Sequence, residues 1–374
     1  MNITLSRVEL LAASKRAAAV APAQSPLDTL RGVLLEADPE SGRLTLSATN
    51  LEVAIEQKLP CAPQDEDSLV VNAELFEQMM EKLTGETVEL KRTVGAPRLT
   101  VLSGCTRFDV PLWERGGFPN VEIPFPEDTV RITGLPALSR RTVFAMGSDK
   151  NAPMLKCVNL MFTQEGLKAA CSDGSCIVTA RGDTASTGDI SMLVPAPSLS
   201  KLAGMSDEDT EYRVGTTGKS IVFLRENFAF SARIMDGEYI DTGRLFSAIT
   251  NQFTVLTDVP DLRKTLNSVI MVESNGKVML RFQDDMLAMR CGGTYGSAVN
   301  QLEVIPLTGI PQGEYWFLTR QLSACLRALE GTVTMGIAQG GMLTLATETA
   351  YYVQPGTRAP GNEQEKPKRT KKAA

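Results

Sequence analysis

The chain has no histidine among its 374 residues. Ser-His-Asp and Cys-His catalysis, histidine metal sites and the commonest general base at neutral pH are therefore excluded. The nucleotide- and nucleophile-bearing patterns G-x-x-x-x-G-K-[ST], G-x-G-x-x-G and G-x-S-x-G are also missing. The seven cysteines (Cys61, Cys105, Cys157, Cys171, Cys176, Cys291 and Cys325) contain no C-x-x-C pair, which implies reduced thiols and no disulfide framework. Without histidine a structural zinc site would need four thiolates, and these spacings fit no ribbon or finger; no metal or other cofactor is expected. Aromatic residues make up only 6%. No apolar run reaches membrane-spanning length and the first residues lack the pattern of a signal peptide, so a cytoplasmic protein is expected.

Against these absences stand 43% hydrophobic and 22% charged residues, enough for several cores and more than one compact domain usually holds. The net charge of −6 hides an asymmetry: residues 361–374 carry five basic against two acidic side chains, leaving −9 on the remainder. The tail, through Lys366-Pro367-Lys368-Arg369 to Lys372, reads as disordered and able to touch phosphates non-specifically. On an acidic body, nucleic-acid contact has to come from locally clustered basic residues.

A threefold repeat organises the chain. Amphipathic helical segments beginning near Ser6, Gly134 and Asp258 open three blocks, with Leu10, Leu138 and Leu262 in equivalent places 128 and 124 residues apart. A second helix recurs around Leu75, Leu199 and Leu322, at spacings of 124 and 123. Period-two strands follow each helix, as in Phe228, Phe230, Ala232, Ile234 and in Phe108, Val110, Leu112, with further strands around Leu44, Leu167 and Leu287. The expected fold is α+β: three similar domains, each with two helices on antiparallel sheet, spanning 1–122, 128–246 and 247–356, followed by the tail at 357–374. Linkers are expected near 118–126 and 242–251.

The segments Ser47-Ala48-Thr49-Asn50-Leu51-Glu52-Val53, Gly117-Phe118-Pro119-Asn120, Cys171-Ser172-Asp173-Gly174 and Met235-Asp236-Gly237-Glu238-Tyr239 resemble, in order, landmarks of the bacterial DNA polymerase III beta subunit family, the sliding clamps. The similarity runs from Met1 to about Pro355. It implies a DNA clamp fold whose subunits join head to tail as a homodimeric ring around duplex DNA, as a non-catalytic processivity factor in DNA replication. The partners implied are double-stranded DNA without sequence preference, a second copy, and the replicative polymerase and clamp loader, bound through short linear motifs.

The resemblance also implies site residues. DNA-facing positions are Lys15, Arg16, Gln24, Lys82, Arg140, Arg141, Lys150, Asn151, Lys156, Lys201, Arg263, Lys264, Arg320 and Arg327. Gln24 stands where the family has an arginine, and Glu74 and Pro197 stand where basic residues are common. The partner-peptide pocket falls on Cys157, Ser172, Gly174, Ser175, Cys176, Ile177, Ile240, Arg244, Leu245, Tyr352, Gln354 and Pro355. Ser175-Cys176 replaces a His-Arg pair there, and Gln354-Pro355-Gly356 replaces Met-Pro-Met, so an altered motif preference is expected. Ring closure is assigned to Phe108, Val110, Ile270 and Met271, while Gly292-Gly293-Thr294-Tyr295-Gly296-Ser297 stands in place of an acidic cluster.

Two other readings remain open from the residues. One is a clamp-like interaction protein of a mobile element or phage that does not encircle DNA, suggested by Gln24, Glu74 and the altered pocket. The other is a carboxylate or lysine enzyme using Asp173, Asp236 or Asp241, although turn formation explains Asp-Gly pairs more economically.

Overall fold

A computed structural model of the chain describes residues 1–93, 95–182, 190–293 and 296–360. The basic tail at 361–374, and Thr294 and Tyr295 of the glycine-rich segment, lie outside the described residues. Seven α-helices occur among the described residues: α1 (Arg7–Val20), α2 (Ala73–Lys82), α3 (Leu135–Val143), α4 (Ala196–Ala203), α5 (Thr242–Ser247), α6 (Val259–Ile270) and α7 (Thr319–Ala328). None is long and apolar enough to cross a membrane.

The element order repeats at half the period expected from sequence. Setting aside α5 and one extra strand, Ile305–Thr308, each helix follows one strand and precedes three, so six copies of a strand-helix-three-strand unit run along the chain. The same helical position anchors every copy. Leu10, Phe76, Leu138, Leu199, Leu262 and Leu322 are each the fourth residue of their helix, and all are at most 1% exposed. Burying one such side chain contributes about 1.5–3 kcal/mol. Phe76, not Leu75, is therefore the equivalent of Leu199 and Leu322, which makes the spacing a constant 123 residues. Leu75 is 41% exposed; its backbone N–H is held at 2.7 Å by Oδ1 of the N-cap Asn72, which turns the next residue into the core.

Successive units exchange their first strands. In the first block, Asn2–Ser6 leads the sheet of Thr87–Lys91, Arg98–Ser103 and Thr106–Pro111, with Ile3 opposite Leu90. Reciprocally, Asp67–Asn72 leads Gly32–Asp38, Arg43–Thr49 and Val53–Pro60. In the last block, Asn251–Asp258 pairs with Thr332–Ala338, and Gln312–Leu318 with Lys277–Gln283.

The chain clusters into two compact units. One comprises Met1–Pro136, Met161–Leu167 and Asp183–Gly237; the other comprises Ala137–Leu160, Lys168–Gly182 and Glu238–Ala374. Each holds a long sheet formed by joining the last strands of two repeats. In the first unit Val53–Pro60 pairs with Phe228–Arg233, Ile55 opposite Phe230. In the second, Ile177–Gly182 pairs with Ala350–Gln354, Ile177 opposite Val353. The expected linker at 118–126 has no regular structure, and its Phe118 packs with Leu34 and Val70 while Ile123 packs with Val222, Leu224 and Ala229. The second expected linker is largely a helix instead: Asp241 Oδ1 accepts the Arg244 N–H at 3.0 Å and caps α5.

Candidate nucleic-acid and partner surfaces

Amphipathic helices must place their polar residues opposite the buried stripe, and the basic residues follow that rule. In the first unit Lys15, Gln24 and Lys82 are exposed, and Arg16 and Lys201 are half-buried. Lys15 Nζ lies 2.7 Å from Glu81 Oε1 on α2. That hydrogen bond and charge hold the ammonium above, and the carboxyl below, their ordinary ranges. Lys15 therefore meets an anion with one of its three N–H donors already engaged. Lys201 Nζ donates to the Ala19 carbonyl at 2.5 Å.

In the second unit Arg140, Lys150, Asn151, Lys264, Arg320 and Arg327 are exposed. Arg141, Lys156 and Arg263 are half-buried there, and the Arg263 Nε is enclosed without a hydrogen-bond partner. Asn151 N–H donates to Asp149 Oδ1 at 2.8 Å, fixing a tight turn between Lys150 and the short helix Pro153–Lys156.

The predicted pocket residues, all in the second unit, divide into two groups. Cys157, Ser172, Cys176, Ile177, Tyr352 and Gln354 are at most 5% exposed, so their side chains belong to the interior and do not offer a surface. Those reaching solvent are Gly174, Ser175, Ile240, Arg244 and Leu245, with Pro355 half-buried. The Asp173-Gly174 turn orders this region: Asp173 Oδ1 accepts from the N–H groups of Ser175 and Cys176 at 2.8 and 2.7 Å. Gly174 has φ +86°, a left-handed conformation that favours glycine.

A polar chain links this turn to the C-terminal strand. Tyr352 Oη donates to Gln354 Oε1 at 3.1 Å, and Gln354 Nε2 donates to Gln321 Oε1 at 3.2 Å and to the Leu318 carbonyl at 3.3 Å. Gln321 Nε2 in turn donates to Asp173 Oδ2 at 2.7 Å. Gln354 is thus buried without an unmet amide, the condition for placing an amide where an apolar side chain would otherwise sit. Gln321 and Asp173 escaped the sequence reading of the pocket. The Asp-Gly pair was visible as a turn, but nothing in α7 marks Gln321 as its partner 148 residues away.

The thiols in this region are inert by environment. Burial pushes Cys157 up to about 11 and Cys171 up to about 12; burial, with the Asp173 carboxylate adding to it, pushes Cys176 up to about 12. Cys105 is the exposed cysteine. A thiol reagent near pH 8 is expected to label Cys105 first and to reach Cys157, Cys171, Cys176 and Cys325 only on unfolding. Peptide mapping of the native protein checks this; equal labelling of buried and exposed thiols would contradict the structure. Of the carboxylates considered for chemistry, Asp173 orders a turn and Asp241 caps α5.

At the positions assigned to ring closure, Met271 is 85% exposed, Phe108 and Ile270 are half-buried, and Val110 is 2% exposed. Val110 therefore faces its own core, because alternation along Thr106–Pro111 turns it inward, and only its backbone is open to a partner. Thr106–Pro111 and Gly296–Glu303 are edge strands of their four-stranded sheets.

Two models of one family match the chain: the N-terminal domain of the DNA polymerase III beta subunit over residues 1–122 and its central domain over 130–241. The beta sliding clamp of Streptomyces coelicolor is 24% identical over 307 residues, covering 79% of this chain and 80% of that protein. The beta sliding clamp of Bacillus subtilis is 23% identical over 264 residues, covering 66% and 68%. Among solved structures, the DNA polymerase III beta subunit of Thermotoga maritima superposes with a TM-score of 0.86 at 20% identity, covering 96% of this chain and 99% of that one. The Bacillus subtilis sliding clamp gives 0.85 at 18% identity, covering 96% and 99%.

Proposed function

This chain belongs to the DNA polymerase III beta subunit family and serves as a DNA sliding clamp, and on that premise we propose that two copies close head to tail into a ring around duplex DNA. One observation carries the reading. Joints between repeats form through last strands: Val53–Pro60 with Phe228–Arg233, and Ile177–Gly182 with Ala350–Gln354. Six repeats have six last strands, and the two left over are the edges Thr106–Pro111 and Gly296–Glu303. Pairing one copy's Thr106–Pro111 with the other's Gly296–Glu303 extends the same rule twice and leaves no last strand open. Open edges invite such pairing, and a heterologous contact closes only when its rotation does.

Paired repeats then make three domains, 1–122, 128–246 and 247–356, whose two joint sheets divide the middle domain between the compact units. Helices carrying Lys15, Arg16, Lys82, Arg140, Arg141, Lys201, Arg263, Lys264, Arg320 and Arg327 face the DNA, with Gln24, Lys150 and Asn151 on adjoining loops and Lys156 at the end of the short helix Pro153–Lys156. A closed ring needs only weak phosphate contacts, because topology prevents sideways escape and phosphates carry no sequence information. The protein does no chemistry in this role; it tethers a polymerase.

The test is retention on closed circular DNA followed by linearisation. The protein is expected to run at about twice its 40.4 kDa chain mass, to stay on the circle and to leave once the circle is cut. Equal retention on both forms would mark a simple phosphate binder, the reading of a clamp-like protein that does not encircle DNA.

Polymerase and loader motifs dock at Ile240, Leu245 and Pro355, beside Gly174, Ser175 and Arg244. The buried Tyr352-Gln354-Gln321 chain reaches Asp173 and Ser175 and brings polar groups to this part of the site, so a motif built for an apolar floor loses contact there. A labelled clamp-binding peptide from a standard replicative polymerase is expected to bind at least ~10-fold more weakly than to its own clamp, a loss of about 1.4 kcal/mol. Equal affinity would overturn the altered preference.

A further inference from the structure

Three elements of the first unit bring Arg16, Arg225 and Lys201 together, and among the described residues none of the three has a carboxylate oxygen within ion-pair distance, the Asp207 carboxylate acting on Arg16 only at longer range. Arg16 extends from α1, Arg225 ends the strand Ser220–Arg225, and both guanidiniums lie over the ring of Phe228, with Cζ at 5.9 and 4.6 Å from its centroid. Arg225 also lies 5.8 Å from the ring of Tyr212. These platforms are packed into the core: Phe228 is 4% and Tyr212 0% exposed, and Tyr212 Oη is hydrogen-bonded to Ser206 Oγ at 2.7 Å. Lys201 Nζ docks one turn further along α1, on the Ala19 carbonyl.

Two arginines so placed repel each other, and ordinarily a carboxylate would separate them. Among the described residues neither has a carboxylate oxygen within ion-pair distance. Arg16 Nη1 donates to a neutral acceptor, Gln57 Oε1, at 3.1 Å. Burial and then the Arg225 charge lower the Arg16 pKa, which Tyr212 and Asp207 only partly offset. A guanidinium held over an aromatic face by cation–π attraction keeps N–H donors available for a planar or tetrahedral anion.

We propose that Arg16 and Arg225, both placed over the ring of Phe228, form a fixed phosphate-binding site that grips one backbone phosphate of the encircled duplex. The inference deepens the sliding-clamp reading and rests on it. Mobile surface lysines neutralise phosphates wherever the DNA lies; a pair held on an aromatic platform defines one place where the backbone rests. Arg225 lies outside the residues that sequence assigned to DNA.

The experiment uses the full-length protein and a short linear duplex, with binding followed by fluorescence anisotropy between about 50 and 200 mM salt. Arg225→Gln is expected to weaken binding roughly 3- to 10-fold at the low-salt end and to flatten the slope of log affinity against log salt by about 0.9, the signature of one lost phosphate contact. Arg16→Gln should do the same, and the double variant should lose little more than either single one, because both grip one phosphate. Should Arg225→Gln fail to fold, Arg16→Gln carries the test alone. Unchanged affinity and slope in a folded variant would overturn the site. So would calorimetric binding of inorganic phosphate that requires Arg225 while the DNA slope stays at its wild-type value, since the site would then serve a free anion. Wild-type retention on circular DNA separates the two levels: its loss on linearisation upholds the ring whatever the variants do, and its persistence would defeat the ring reading itself.

Discussion

Met271→Arg is expected to reduce the assembly from about twice 40.4 kDa to the mass of one chain and to abolish retention on circular DNA. Met271 follows the last turn of α6 and is 85% exposed, the most exposed large hydrophobic side chain described. A flexible thioether left in water at a helix end gains about 1.5–3 kcal/mol when a partner covers it. Arginine at this position forfeits that gain and adds the cost of taking an unpaired charge out of water. A ring contains the contact twice. The dimer dissociation constant should rise at least ~100-fold, corresponding to about 2.8 kcal/mol. Because the side chain touches little of its own subunit, the unfolding free energy of the subunit itself, with the association energy set apart, should change by no more than about 0.5 kcal/mol. Light scattering coupled to size exclusion reads the mass, and a variant that remains dimeric would place Met271 outside the interface.

Truncation of Phe76 to alanine should cost about 3–5 kcal/mol, whereas Leu75→Ala, one residue earlier on the same helix, should cost under about 1 kcal/mol. The two residues are 0% and 41% exposed. Leu199→Ala and Leu322→Ala, at the corresponding fourth helical positions, should cost about 2–5 kcal/mol each. Chemical denaturation of the four variants reads the difference. If Leu75→Ala proved as damaging as Leu322→Ala, the pairing of repeats by burial would be wrong.

That contrast also shows where sequence reading loses precision. Two adjacent apolar residues in a short helix, Leu75-Phe76, both suit an amphipathic stripe, and matching leucine with leucine selected the wrong one. The choice is made by rotational phase, which depends on where the helix begins, and the Asn72 cap sets that. In the same way Thr242–Ser247 reads as a linker because a six-residue helix has too little periodicity to register. Val110 reads as an apolar patch, but its face is decided by the register of Thr106–Pro111 on Arg98–Ser103.

The pocket was legible to a similar depth. Ser172, Gly174, Ser175 and Cys176 could be grouped from the Asp-Gly turn, and Ile240, Arg244 and Leu245 from order along the chain. That Gln354 would be buried, and bridged by Gln321 to Asp173, required contacts spanning 33 and 148 residues. A hydrogen bond between distant segments leaves no periodic trace in either of them.

Taken alone, the sequence determined what local chemistry determines. Lack of histidine ruled out whole reaction classes, the recurring helices and strands set an α+β repeat, and the ordered landmarks indicated the clamp family. Tertiary structure decided the matters that depend on distant strands meeting. It showed that the repeat is sixfold, that first strands are exchanged between neighbouring units, and that two last strands remain unpaired. It also decided which basic residues are held in place: Arg225, unremarkable at the end of a strand, acquires its role when hairpin and helix bring it and Arg16 onto one ring. Periodicity records which face of an element is buried, but only the folded chain records what that face meets.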